Sequence, residues 1–298
     1  MKKYQFKNRL GEIRKGVCWE IDAPKANVII FEGMEEYAGR YDKFAKELNK
    51  AGYNVYGVDT YGQGENAEAD GLGVWPRDGF HVEVDNKADL VDHLAESKLP
   101  TYVFSHSMGS FMAQDFLQRH PGKVKRFAMC GSGAGGKTPV LGLGNIVAHI
   151  VVNKRNYYKK ATLLNTLMFA NLSAAYKEEG PYAWLSVNKD NVTKYEADPL
   201  CGFGPNNGFC LGFISGMAPL YKKKNLAKID KDTELFIIAG DGDPVANFGK
   251  YTQELEDQYK GLGLKYVESK VYKNMRHEIL NEDDWKVVAS DVINFFNR

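Results

Sequence analysis

Short apolar runs recur along this chain, and most are separated by stretches whose apolar residues repeat at helical spacing. Ala26-Asn27-Val28-Ile29-Ile30-Phe31 is rich in β-branched residues and stops short of Gly33, the pattern of a strand buried on both faces. Asn54–Asp59, Thr101–Phe104, Val124–Met129, Leu235–Ala239 and the Tyr266–Tyr272 segment read the same way. Between them, Tyr41–Lys50 places Phe44, Ala45 and Leu48 on one face before Gly52 stops it, and Val82–Glu96 aligns Val84, Ala88, Val91 and Ala95. Met108–Gln118 reads as a helix closed by His120-Pro121-Gly122. A last helix is expected from about residue 282 to 296, with Asn281 as its cap and Glu282, Asp283 and Asp284 complementing its positive end. Such alternation demands a mostly parallel sheet with helices on both faces. Residues 12–21 are expected to add antiparallel strands at the start.

One interval breaks the rhythm. From Gly133 to Lys224 no strand pattern occurs, and the apolar spacing is helical in pieces, as at Leu163, Leu164, Leu167 and Met168. A long insertion of this kind is either a lid or a second domain.

Charge and composition narrow the partners. With 39 Lys+Arg against 38 Asp+Glu, the net charge is +1, too little for an electrostatic grip on nucleic acid or an acidic membrane. Lys222-Lys223-Lys224 is the nearest approach to a basic run and reads as a solvated face. The charged N-terminus has no apolar stretch behind it, so it is not a secretory signal, and no segment is apolar for long enough to span a membrane. Cys18, Cys130, Cys201 and Cys210 lack metal-finger spacing and are expected as reduced thiols in a cytoplasmic protein, with Cys201–Cys210 the one pairing to consider.

The chemistry centres on Phe104-Ser105-His106-Ser107-Met108-Gly109-Ser110, which stands between a strand and a helix. This is the nucleophile-elbow context, G-x-S-x-G with Ser105 in the first glycine position. The turn is tight, so residues two before and two after Ser107 must be small. A serine nucleophile needs a base, and the base an orienting acid. After the fifth strand comes Gly240-Asp241-Gly242-Asp243-Pro244-Val245, and after the sixth Asn274-Met275-Arg276-His277-Glu278. Both loops lie at carboxyl ends of strands, where open α/β sheets place their sites. His277 is the base, because His81, His93, His120 and His149 fall on helices or their ends and His106 supports the elbow. Asp241 and Asp243 both remain as acids, with Pro244 favouring Asp243 by fixing the backbone beside it. Oxyanion donors are expected from the amides of Met108, after the nucleophile, and Met34, beyond Gly33.

With these residues in place the chain resembles the α/β-hydrolase superfamily, and within it the bacterial monoacylglycerol lipase and lysophospholipase family. Gly33-Met34 with Gly39-Arg40-Tyr41 is similar to that family's oxyanion segment, and Ser105-His106-Ser107-Met108-Gly109-Ser110 to its G-H-S-M-G-S motif. Asp59-Thr60-Tyr61-Gly62-Gln63-Gly64 matches its D-x-R-G-H-G loop in part, and Asp198-Pro199-Leu200-Cys201-Gly202-Phe203 resembles a cap motif. The segments around Asp243 and His277 match closely. The resemblance implies Asp243 as the acid. It also implies a core of residues 1–137 and 226–298, with residues 138–225 as a helical cap over an acyl pocket. Phe169, Leu172, Phe203 and Phe213 are the cap residues expected to line that pocket, and Gly133, Gly135, Gly136, Gly212 and Gly216 are expected to let it open.

The chain departs from the family where Glu32 replaces the histidine before the oxyanion glycine, and where Tyr61 and Gln63 replace an arginine and a histidine. A carboxylate aimed at a forming oxyanion would oppose catalysis, so Glu32 is expected to point away and be paired. The expected activity is hydrolysis of lipid-like monoacyl esters with no cofactor or metal, no nucleic-acid partner and at most transient contact with a membrane surface. Two other readings are an esterase or acyltransferase for small non-lipid esters and an inactive binding protein. The intact Ser107, Asp243 and His277 argue against the second.

Overall fold

The computed structural model describes residues 1–67, 71–134 and 139–298. The expected boundary of the insertion near residue 138, together with Gly135 and Gly136, lies outside the described residues.

The strands are β1 (Lys2–Lys7), β2 (Ile13–Trp19), β3 (Ala26–Phe31), β4 (Tyr53–Val58), β5 (Thr101–His106), β6 (Arg126–Cys130), β7 (Glu234–Gly240) and β8 (Tyr266–Tyr272). They form one sheet in the order β1-β2-β4-β3-β5-β6-β7-β8. β1 pairs antiparallel with β2, and β2 with β4; all other pairs are parallel. The antiparallel start was legible at residues 12–21, but β1 was not, because its Lys–Lys–Tyr–Gln–Phe–Lys run has a weak alternation and only Phe6 buried.

The packing follows from the period of two along each strand. Ile29 and Phe31 of β3 face one layer and Val28 and Ile30 the other. The first layer is covered by α2 (Gly79–Leu94), α3 (Met108–Arg119) and α9 (Lys250–Gly261), through Val84, Val91, Met112, Phe116, Leu255 and Tyr259. The second is covered by α1 (Asp42–Lys50) and α10 (Trp285–Phe296), through Phe44, Leu48, Val288, Val292 and Phe295.

Between β6 and β7 the chain is helical, with α4 (Pro139–Val151), α5 (Thr162–Ala174), α6 (Lys189–Ala197), α7 (Asn207–Met217) and the short α8 (Lys223–Leu226). This segment builds two apolar clusters of its own. One joins Ala148, Val152 and Leu164 to Cys210 and Ile214, and the other gathers Phe169, Leu172, Tyr182 and Tyr195 around Trp184 and Leu185. All four cysteines are free and buried, with Cys201 and Cys210 in different clusters. Among the described residues no helix is long and apolar enough to cross a membrane.

The last helix corrects one expectation. It begins at Trp285, after Asp284, and a short 3₁₀ turn occupies Ile279–Asn281. Asn281 caps nothing there; its amide donates to Glu278 (3.0 Å). Glu282 is instead drawn into the interior, where it accepts from Ser186 Oγ (2.7 Å) and the amide of Arg276 (2.8 Å). The helical segment is thereby tied to the loop that carries His277.

Candidate active site

The parallel strands β3, β5, β6, β7 and β8 all end on one edge of the sheet, so the loops after them converge there. Ser107 follows β5 and precedes α3 in a left-handed conformation, with φ +51° and ψ −120°. That region is costly for a residue with a Cβ and is held only where the surroundings over-determine it. The restraints are visible: the Ser107 amide donates to Cys130 O (2.9 Å), and the chain turns straight into α3. A Cβ on Gly109 would lie 2.1 Å from Phe31 O, so only glycine fits two residues after Ser107. Two residues before it, Ser105 is fully buried and its hydroxyl donates to Ala128 O (3.3 Å).

Nδ1 of His277 lies 2.9 Å from Asp243 Oδ1, and both residues are buried. The same Asp243 oxygen accepts from the Val245 amide (2.8 Å), a turn that Pro244 helps to fix. Nε2 of His277 is buried with no hydrogen-bond partner among the described residues. Asp241 is exposed and reaches no histidine; its amide donates to Tyr272 O (2.9 Å). The His277 ring is held from two sides. The Trp184 ring lies 5.1 Å away, and Gly131 leaves room that a Cβ, 2.8 Å from the ring, would fill.

Ser107 and His277 border a cavity of about 190 Å³ whose wall also includes Met34, Glu35, Phe169 and Trp184. Of the other aromatic and aliphatic residues expected to line a pocket, Leu172 packs in the Trp184 cluster. Phe213 is buried against Phe80 and Phe111, and Phe203 lies over Gly73. These three do not border the cavity. Met108 opens α3, where a first-turn amide has no intrahelical acceptor, while its side chain is in the core.

Glu32 is turned away and paired. Its Oε1 accepts from Thr60 N (2.6 Å) and Thr60 Oγ1 (2.5 Å), and its Oε2 from Lys87 Nζ (3.0 Å), all buried. Gln63 braces the loop of Gly33 and Met34, donating to Gly33 O (2.9 Å) and accepting from Glu35 N (2.8 Å).

A buried ionic cluster beneath the loop was not read from the sequence. Glu36 accepts from the Gly33 amide (2.7 Å), Tyr41 Oη (2.7 Å) and Arg40 (2.8 Å). Arg40 also binds Glu278 through its two terminal guanidinium nitrogens (2.7 and 2.8 Å). His106 Nδ1 lies 3.0 Å from Glu36. Burial pushes the Glu36 carboxyl up, but His106, Arg40 and Tyr41 outweigh it and hold it well below the usual range. Burial likewise disfavours a charged His106, yet Glu36, Glu278 and the His277 carbonyl raise its pKa. The available signal was adjacency: each of these residues sits within or beside a motif already singled out.

Comparison with known proteins gives the family and the fold. A family model described as "Serine aminopeptidase, S33" (Hydrolase_4) matches residues 22–284. A monoacylglycerol lipase of Mycolicibacterium smegmatis is 27% identical over 92% of this chain and 89% of its own length. A monoglyceride lipase homolog of monkeypox virus is 31% identical, covering 89% of this chain and 86% of its own. The structure of a highly thermostable carboxyl esterase from Bacillus coagulans, in complex with glycerol, superposes with a TM-score of 0.89 at 25% identity. That superposition covers 100% of this chain and 98% of the esterase. The eight-stranded, mostly parallel sheet with its flanking helices is the α/β-hydrolase fold.

Proposed function

The chain belongs to this family of serine hydrolases, matched over residues 22–284, and on that premise we propose the residues and the substrate of its reaction. At the level of the family and its relatives it is a carboxylic ester hydrolase of the lipase and esterase type. Ser107 is the nucleophile, His277 the general base and Asp243 the orienting acid. The substrate is a lipid-like ester with a single acyl chain.

Ser107 Oγ attacks the ester carbonyl carbon while His277 Nε2 takes its proton. Asp243 keeps Nδ1 protonated and stabilises the imidazolium. The amides of Met34 and Met108 receive the negative oxygen, each worth about 3 kcal/mol by the usual cost of losing one donor. The tetrahedral species collapses, His277 returns the proton to the leaving alcohol, and an acyl-enzyme remains. Water, deprotonated by His277, then releases the acid and restores Ser107. The helical part of the insertion, described over residues 139–225, acts as a cap over this site, with Phe169 and Trp184 contributing apolar wall.

The observation that carries the reading is the 2.9 Å bond between His277 and buried Asp243, with Nε2 of the same ring unpartnered at a cavity that Ser107 borders. The names of the relatives support the monoacyl substrate. Labelling with a fluorophosphonate probe tests the nucleophile: the adduct should map to Ser107 and vanish in Ser107→Ala. A probe adduct on another residue, or none, would sink the assignment.

A further inference from the structure

Glu35 occupies a conformation that a glutamate has no intrinsic reason to adopt. Its φ is +60°, in the left-handed region, and it directly follows Met34. A non-glycine residue is kept there only where its surroundings over-determine it. Three contacts join Glu35 to the helical segment. Its carbonyl accepts from Tyr195 Oη (3.1 Å) and Gly202 N (3.3 Å), and its Oε2 accepts from Gly204 N (3.2 Å). Oε2 is thus occupied, while the residue borders the cavity beside Ser107.

The carboxylates around this site differ in one respect. Glu36 and Glu278 are neutralised by Arg40 and His106. Among the described residues Glu35 forms no ion pair; Lys160, an exposed side chain, acts on it only through space. The facing hydroxyls of Tyr182 and Tyr195 are uncharged at neutral pH, burial having pushed both phenols up. Burial pushes the Glu35 carboxyl up as well, partly offset by Gly204 N and Lys160. A second acceptor lies in the same wall: Oδ1 of Asn165 is buried with no partner among the described residues. A buried acceptor left without a donor is unfavourable unless a ligand supplies one.

We infer that Glu35 and Asn165 make this cavity a filter for charge and hydrogen-bond donors. It accepts esters of uncharged, hydroxyl-bearing alcohols and rejects esters whose alcohol carries a phosphate. Two hydroxyls of such an alcohol can donate separately, one to the Glu35 carboxyl and one to Asn165 Oδ1. A phosphate offers few hydrogen-bond donors at neutral pH, and its negative charge meets an unneutralised carboxyl in a site of low dielectric. This rests on the reading of Ser107 as the nucleophile of a monoacyl ester hydrolase.

The test uses the full chain and two substrates with the same acyl group, a monoacylglycerol and the corresponding lysophosphatidic acid, below their aggregation limits. The wild type should favour the neutral ester in kcat/KM by at least 100-fold. Glu35→Gln should lower that ratio at least tenfold, by losing rejection of the phosphate. Asn165→Leu should lower kcat/KM for the monoacylglycerol at least fivefold, chiefly through KM. A wild-type ratio near one would overturn the inference. So would a loss by one common factor on both substrates in Glu35→Gln, which is what a merely structural latch would give. If Glu35→Gln does not fold, the wild-type ratio and the Asn165→Leu result decide. Hydrolysis of p-nitrophenyl butyrate by the wild type separates the two readings, since its absence would remove the nucleophile assignment rather than the filter.

Discussion

Nε2 of His106 lies 3.2 Å from the main-chain carbonyl oxygen of His277, while Nδ1 of the same ring lies 3.0 Å from Glu36. Both nitrogens face acceptor oxygens, a geometry that favours the ring carrying hydrogen on both, as an imidazolium. It links the loop of His277 to the carboxylate that holds the Gly33 amide. With Arg40 it balances the two carboxylates of the cluster.

This arrangement sets a pH dependence. The pKa of His106 is raised in the folded protein above its ordinary value of 6.5. Its contribution to stability is therefore complete below the unfolded value of about 6.5 and is lost as pH rises through the raised one. Urea midpoints measured from pH 6 to 9 should fall with pH in the wild type and fall less in His106→Gln. Equal slopes in the two proteins would refute a charged His106.

For the catalytic residues, Ser107→Ala, His277→Ala and Asp243→Asn should each reduce kcat by about 10³–10⁴-fold or more, with double variants losing little beyond the singles. Asp241→Asn should stay within a few-fold of wild type, since Asp241 is exposed and away from His277. A dead Asp241→Asn beside a nearly normal Asp243→Asn would reverse the acid assignment.

Glu32 and Lys87 form a buried ion pair, the Glu32 carboxylate being held by Lys87 and Thr60. Breaking one half of such a pair leaves an uncompensated buried charge and costs about 3–5 kcal/mol. Glu32→Gln should lower the urea-unfolding free energy by about that much while its folded fraction keeps substantial turnover. The double variant Glu32→Gln/Lys87→Met should recover part of the loss. Full stability with lost turnover in Glu32→Gln would place Glu32 in the chemistry instead.

Gly131 has φ +61°, and a Cβ there would approach the His277 ring to 2.8 Å and Asp243 Oδ2 to 3.2 Å. Neither neighbour can yield without disturbing the bond between them. Gly131→Ala should lower kcat by about 10²-fold, the usual order for a small misplacement of catalytic groups. Its circular dichroism should remain that of a folded protein. A fully active, folded Gly131→Ala would mean the ring has more freedom than its packing implies.

The acyl-pocket reading predicts a chain-length profile. Each buried CH₂ is worth at most about 0.8 kcal/mol, close to fourfold in binding. With a series of p-nitrophenyl esters, kcat/KM should climb from acetyl upward and then level off where the cavity ends, with little activity on triacylglycerol emulsions. A flat or falling profile would favour small esters.

Much of this was legible in the chain because it is local. The β-branched runs, the helical spacing of Phe44, Ala45 and Leu48, and the small residues around Ser107 are constraints a segment imposes on itself. Strands β3 to β8 followed from them within a residue or two. The pairing of His277 with Asp243 was anticipated because chain order and strand ends limited the candidates to two neighbouring aspartates. What sequence did not settle is whatever depends on contact between distant segments. The buried cluster joins Glu36 and Arg40 to Glu278 across 238 positions of sequence. The partner of Glu32 is Lys87, a lysine on a helix that by itself reads as a solvated charge. Phe169, Leu172, Phe203 and Phe213 are chemically alike in the chain, yet only Phe169 borders the cavity. Apolar character only favours burial; Leu164 is buried while Leu163 and Leu167 stay exposed, and which side chain goes inside, and against which neighbour, is decided only when the helices pack.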